Sequence, residues 1–184
     1  MCNGTRSIFP NRLDDNIRTW NHILMKNAGK IFEQDFINSM PGSASCLRFN
    51  DAGGWGQSTK TRFTTKSICD FVVYYNRTLY LLELKSHKGK SLPLSCIKDH
   101  QIKGLATHMI KPHVHAGLII NFRDLNETYF LNIQHVVDLI NTTTIKSISI
   151  ALCRQKGVLI RQRIKKVRYT YSVDDLFNIA EEEG

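Results

Sequence analysis

The chain has 184 residues, 42% of them hydrophobic, and a formal charge of +9, with a pI near 9.4. Length and apolar content suit one domain and exclude a chain too polar to bury a core. The basic excess points to a polyanionic partner, most often nucleic acid, while ribosomal and membrane-surface proteins share such a balance.

No apolar run is long enough for a signal peptide or a membrane span. Cys2, Cys46, Cys69, Cys96 and Cys153 are odd in number and scattered, and form no zinc or redox pair. These features lead us to expect a soluble cytoplasmic protein with reduced thiols, in which Asn-x-Thr at Asn3, Asn76 and Asn126 has no bearing on glycosylation.

Residues 1–26 form a polar N-terminal extension, with Ile17, Trp20 and Leu24 at helical spacing, ahead of a single domain over 27–184. Over residues 27–40, Phe32, Phe36, Ile37 and Met40 predict a helix that stops before Pro41 and Gly42. Glu33 falls on or beside its apolar stripe, as a rim residue or a site residue.

Residues 46–50 read as a first strand, near the cation Arg48, and a projection over about 51–66 follows. The projection is polar and aperiodic, and carries Trp55, Lys60, Arg62, Phe63 and Lys66. A connection of that length is usually functional or disordered. Cations mixed with aromatics suit gripping phosphates and stacking on bases; the alternative is a basic loop with no task.

Residues 68–75 and 78–85 are two β-rich runs separated by Asn76 and Arg77, and predict an antiparallel hairpin. A two-residue turn sets Tyr74 opposite Leu79, Val72 opposite Leu81 and Asp70 opposite Glu83. Opposed like charges are destabilising unless something compensates, and a divalent cation does so well. The strand period of two puts Lys85 beside the acids, on the face of Val72, Leu79 and Leu81. Phe71, Val73, Tyr75, Tyr80, Leu82 and Leu84 form the other face, so the hairpin is expected to be covered on both sides. Taken alone, the same acids also fit strand ends in solvent, with Lys85 in a surface ion pair of small value.

Further on, residues 86–90 read as a basic loop with Lys88 and Lys90, and 92–94 as an extended piece. A helix over 97–110 turns Ile97, Ile102, Leu105 and Met109 inward, with Gln101 near its start. Strands follow at 115–122 and 127–133 around a turn at 123–126, then a short helical turn at 136–140. Strands are also expected at 146–153 and 158–166, and a helix over 173–180 capped by Ser172. The seven histidines show no pattern that requires a metal or a base. The late run of Arg154, Lys156, Arg161, Arg163, Lys165, Lys166 and Arg168 fits either a DNA-lining surface or a solvated face.

Glu33 on a first helix, Asp70 on a second strand, and Glu83 with Lys85 on a third resemble the restriction-endonuclease-like nuclease core. Beyond that superfamily, GKIFEQDF, ICDFVVYYNRTLYLLELKSHKGKSLPL and KDHQIKGL are similar to the RecU family of Holliday junction resolvases, found in certain bacteria and their phages. The resemblance covers roughly residues 27–135. It implies an α/β fold with a mixed central sheet flanked by helices and a flexible projection between the first two strands.

By the same resemblance the site comprises Asp70, Glu83, Lys85 and Gln101, the last preceded by His100, and Glu33 matches the first-helix glutamate. Asp70, Glu83 and Gln101 are the implied metal residues, for Mg²⁺ with Mn²⁺ as a substitute, with no small-molecule cofactor. Arg48, Trp55, Lys60, Arg62, Lys66, Lys88 and Lys90 are the expected DNA contacts. One departure stands out: where the family has hydroxyl-bearing residues just before the catalytic aspartate, this chain has Ile68 and Cys69, and Ser67 is the nearest hydroxyl.

The function implied is metal-dependent, structure-selective cleavage of four-way DNA junctions by paired symmetric nicks in recombination and repair. A homodimer would act in the cytoplasm, the host's if the chain is phage-encoded. The alternatives are a nuclease of the same fold with another DNA specificity, or a non-catalytic junction-binding accessory.

Overall fold

The structure, a computed structural model, describes residues 27–49, 66–142 and 144–179. Most of the expected projection, with Trp55, Lys60 and Arg62, the helix expected near 13–25 and the end of the one expected over 173–180 lie outside them.

Helix α1 (Ala28–Asn38) leads into β1 (Ser45–Arg48), followed by β2 (Phe71–Tyr75), β3 (Thr78–His87) and the short β4 (Ser91–Pro93). After α2 (Asp99–Met109) come β5 (Val114–Phe122), β6 (Glu127–Asn132), α3 (Ile133–Thr142), β7 (Ser147–Ser149), α4 (Ile150–Lys156) and β8 (Val158–Leu159). The last described elements are β9 (Gln162–Lys165), β10 (Arg168–Tyr171) and the single-turn α5 (Asp174–Phe177).

Six strands form the central sheet in the order β1-β2-β3-β5-β6-β8. All its neighbours are antiparallel except β3 and β5, which run parallel from Leu79↔Val114 to His87↔Phe122. Parallel neighbours need a long crossover, and α2 supplies it. This is a mixed α/β fold, a central sheet flanked by helices, as the resemblance implies.

The β2–β3 hairpin keeps the expected register, Phe71↔Leu82 through Tyr75↔Thr78. Asn76 and Arg77 both adopt left-handed backbone, with φ of 44° and 65°, which matches a two-residue turn to the twist of its strands. Both faces are covered, because successive side chains in a strand point to opposite sides. Val72, Leu79, Leu81 and Ala116 pack with Ile97, Leu105, Ile133 and Val136, on the side of α2 and α3. Phe71, Val73, Tyr80, Leu82 and Leu84 pack with Phe32 and Phe36 of α1, Tyr171 and Leu176. Each fully buried Leu, Ile or Phe contributes about 1.5–3 kcal/mol.

Several expected elements are revised. The residues read as a loop at 86–90 begin inside β3, which continues through His87 because β5 pairs with it that far. The helical turn at 136–140 is part of the ten-residue α3. Residues 146–153 divide into β7 and α4: Ser149 Oγ accepts the Leu152 N–H, and Ile150 and Cys153 bury one helical face. Residues 158–166 divide into β8 and β9, and β10 pairs with β9 as a separate two-stranded ribbon. The last helix is capped by Val173 rather than Ser172, whose carbonyl accepts the Asp175 N–H.

Candidate metal and phosphodiester site

Asp70 lies one residue before β2, so it ends the hairpin ladder instead of extending it. Its N–H donates to the Leu82 carbonyl at 3.1 Å, but its own carbonyl turns to β1 and accepts the Phe49 N–H at 2.9 Å. Oδ2 of its side chain accepts the Leu84 N–H at 2.8 Å. The side chain thus takes up a donor on β3 between Glu83 and Lys85. The alternation breaks here too, since Cys69 and Val72, three positions apart, pack on the same side of the sheet. The sequence reading set Asp70 and Glu83 squarely opposite on a regular ladder; the structure brings Asp70 in from the strand end.

The approach to Asp70 is tightly held. Ser67 Oγ donates to the Cys69 carbonyl at 2.6 Å, so the hydroxyl nearest to Asp70 braces the backbone that leads to it. Gly104 of α2 lets the helix lie against Ile68: a Cβ there would stand 2.5 Å from Ile68 Cγ2. That close approach sets the start of α2, where Gln101 is, against the same segment.

Glu83 is buried on the α2 side of β3, its side chain 2% exposed. Lys85, next on that face, donates from Nζ to Glu83 Oε1 at 2.6 Å. The other oxygen, Oε2, is buried and has no hydrogen-bond partner among the described residues. Burial pushes the Glu83 pKa up to about 7 and the Asp70 carboxylate adds to the rise, while Lys85 and the nearby Gln101 amide hold it down. Cys69, beside both acids, is driven up to about 12, first by burial and then by the charges of Glu83 and Asp70; it is an inert thiol.

Gln101 is buried at the third position of α2. Its Oε1 accepts the Lys98 N–H at 3.0 Å, which fixes the side chain by half of a capping box. Glu33 reaches the site from α1, on the opposite face of the sheet. It forms an ion pair with Arg48 of β1, and burial followed by Asp70 raises its pKa against Arg48 and Lys30. Asp70 is therefore the group that both glutamates sense. The structure gathers Asp70, Glu83, Lys85, Gln101 and Glu33 at one end of the sheet.

The expected DNA contacts are less concentrated. Arg48 is committed to Glu33, and Lys88 and Lys90 are exposed just beyond β3. Lys66 is exposed beside an apolar cavity bordered by Ile68, Val72 and Leu79. Sequence reasoning missed Asp35, a buried carboxylate joining α1 to β10; its i+2 offset from Glu33 is the signal that it faces another side of the helix.

Among the described residues, no three His, Cys, Asp or Glu side chains cluster to enclose a metal ion on their own. Mg²⁺ does not ask for that: it keeps several waters and is held by one or two carboxylates together with substrate phosphates. Two adjacent acids, one with a buried oxygen that makes no hydrogen bond among the described residues, fit such an ion. The same two acids are poorly suited to each other without one.

No match was found among curated proteins. Among solved structures the chain is similar to Hjc, a Holliday junction resolvase from the archaeal hyperthermophile Archaeoglobus fulgidus, at 16% identity and a TM-score of 0.41, with 91% of this chain and 99% of that one covered. Residues 36–175 match the family model described as RecU, Recombination protein U. The match includes Asp70, Glu83, Lys85 and Gln101, begins just after Glu33, and extends through β10, well beyond the stretch of roughly 27–135 that carries the sequence resemblance. The chain therefore belongs to the RecU family.

Proposed function

We propose that the protein is a Mg²⁺-dependent endodeoxyribonuclease that resolves four-way DNA junctions by paired symmetric nicks, acting as a homodimer in the cytoplasm. Residues 27–184 form the nuclease domain in this reading and 1–26 an extension. The observation that carries it is the buried Oε2 of Glu83, which has no hydrogen-bond partner among the described residues and lies near the Asp70 carboxylate. A buried acceptor left without a donor costs about 1–3 kcal/mol, which a fold has no reason to keep unless something arrives to fill it. Family membership supports the choice of junction DNA, and the charge of +9 suits a polyanionic substrate.

Asp70 and Glu83, with Gln101, would hold Mg²⁺ or Mn²⁺; when bound, the ion would polarise a phosphoryl oxygen and lower the pKa of a coordinated water. Asp70 is preset for this by the Leu84 N–H, which fixes its carboxylate before substrate arrives. Lys85 neutralises Glu83 in the free protein. With DNA in place its ammonium is positioned to stabilise the charge that develops on the attacked phosphate. Gln101 is immobilised through its Oε1, and its amide, which faces Glu83 in the free protein, would orient a water or a phosphate oxygen once DNA and metal are bound. Glu33, tethered by Arg48, orders the Asp70 side of the site.

The test is nicking of a labelled four-way junction and of linear duplex, with and without Mg²⁺, by the wild type and by Asp70→Asn. We expect Mg²⁺-dependent paired nicks on the junction, no cleavage by the variant, and unchanged junction binding. Equal cutting of duplex would favour another DNA specificity, binding without cleavage an accessory role, and unchanged cleavage by Asp70→Asn would refute the site.

A further inference from the structure

We propose that the β9–β10 ribbon is a second DNA-backbone contact, which grips phosphates of the bound duplex beside the cleavage site; the proposal rests on the nuclease reading above. The ribbon is a two-stranded sheet of its own, with Arg168↔Lys165, Tyr169↔Ile164, Thr170↔Arg163 and Tyr171↔Gln162 as partners. Its root is buried, since Tyr171 packs against Phe32 and Phe36 of α1. Its outer part, residues 163–168, is exposed at every position.

The charges there are distributed unevenly. Arg161 is neutralised by Asp175 and Arg168 by Asp35. Arg163, Lys165 and Lys166 form no ion pair among the described residues. Lys165 stands directly across from Arg168, an arrangement that is unfavourable in the protein alone. Lys166 opens the turn with a φ of 61°, a conformation that suits Gly or Asn better than a long side chain. Val167 beside it is 85% exposed. A ribbon selected only for folding would avoid both the unneutralised cations and the strained lysine. A row of anions spaced along a backbone resolves the charge.

The ribbon is also fastened to the site. Gln162 Oε1 accepts from Thr128 Oγ1 at 2.5 Å and from Asn121 Nδ2 at 3.3 Å, and Asn121 Oδ1 accepts from Ser86 Oγ at 3.4 Å. Ser86 follows Lys85 in β3. On its other side Tyr169 Oη donates to Asn126 Oδ1 at 2.7 Å, in the turn that follows β5. Both ties lie at the end of the sheet that carries Lys85, on the α1 face from which Glu33 approaches the site, so the ribbon would meet the bound DNA from that side.

Counterion release gives the test. Each phosphate neutralised on duplex adds about 0.9 to the slope of log K against log salt. The triple variant Arg163→Ala, Lys165→Ala, Lys166→Ala should therefore lower the slope for junction and for plain duplex by about 2–3. All three side chains are exposed, so the variant should melt with the wild type. A wild-type slope retained by the triple variant would overturn the proposal and leave the ribbon to an acidic protein partner. Should the wild type neither bind nor nick junctions, the nuclease reading itself would fail, an outcome visible before any ribbon variant is made.

Discussion

Asp35 and Glu83 are buried to almost the same depth, 2% and 1% exposed, yet the protein treats them differently. Asp35 is saturated: Oδ1 accepts from Arg168 Nε at 2.5 Å and Oδ2 from the Tyr169 N–H at 3.0 Å. Glu83 has Lys85 on one oxygen and, among the described residues, no hydrogen bond on the other, with the Gln101 amide and a second carboxylate close by. The first acid completes a joint between α1 and β10. The second is an incomplete arrangement, and the missing component has positive charge. Burial of a carboxylate alone does not separate structure from chemistry; the satisfaction of its second oxygen does.

The largest expected effect is on cleavage. Glu83→Gln should lower junction nicking by about a hundredfold to a thousandfold, as expected for loss of a charge-stabilising group, whereas Asp35→Asn should stay within a few-fold of wild type. A comparable collapse in both would mean that Asp35 belongs to the machinery.

Stability against pH sharpens the contrast next. The folded pKa of Glu83 lies above its ordinary value of 4.5, at about 7, so folding favours its neutral form. In the metal-free protein that stability is complete below about 4.5 and is lost as pH rises through about 7, in all about 3 kcal/mol. In EDTA at pH 8, Glu83→Gln should melt above wild type, and the difference should vanish near pH 4. A variant that melts lower at pH 8 would show that the charged glutamate is content where it is.

Asp35→Ala should behave in the opposite way and destabilise by about 2 kcal/mol, because it strands the Tyr169 N–H and frees Arg168. A denaturant titration reads this directly, and no change would mean that the α1–β10 joint is held by its aromatics alone. The smallest effect is expected at the exposed Arg48–Glu33 pair. Arg48→Ala should alter stability by no more than about 1 kcal/mol, and any larger effect should appear in nicking, through Glu33.

The hairpin was legible in the sequence because two β-rich runs around Asn76 and Arg77 admit one register that buries both faces. Gln101 was found by resemblance, and its anchoring by the Lys98 N–H appears only in three dimensions. The bend at Asp70 was hidden, since a strand's period of two carries no mark of where the ladder ends. The α4 segment was misread because Ile148, Ile150 and Leu152 alternate like a strand, although Ile150 and Cys153 also sit one helical turn apart and it is that face which is buried. Asp35 could not be recognised as structural from its neighbours, because its partners Arg168 and Tyr169 are far along the chain.

Calorimetric titration of Mn²⁺ or Mg²⁺ into metal-free protein near pH 6.5, in two buffers of different ionisation enthalpy, tests the central claim most directly. The account predicts binding accompanied by proton release from Glu83, lost in Glu83→Gln and retained in Asp35→Asn. Equal binding by Glu83→Gln, or binding with no proton released, would contradict it.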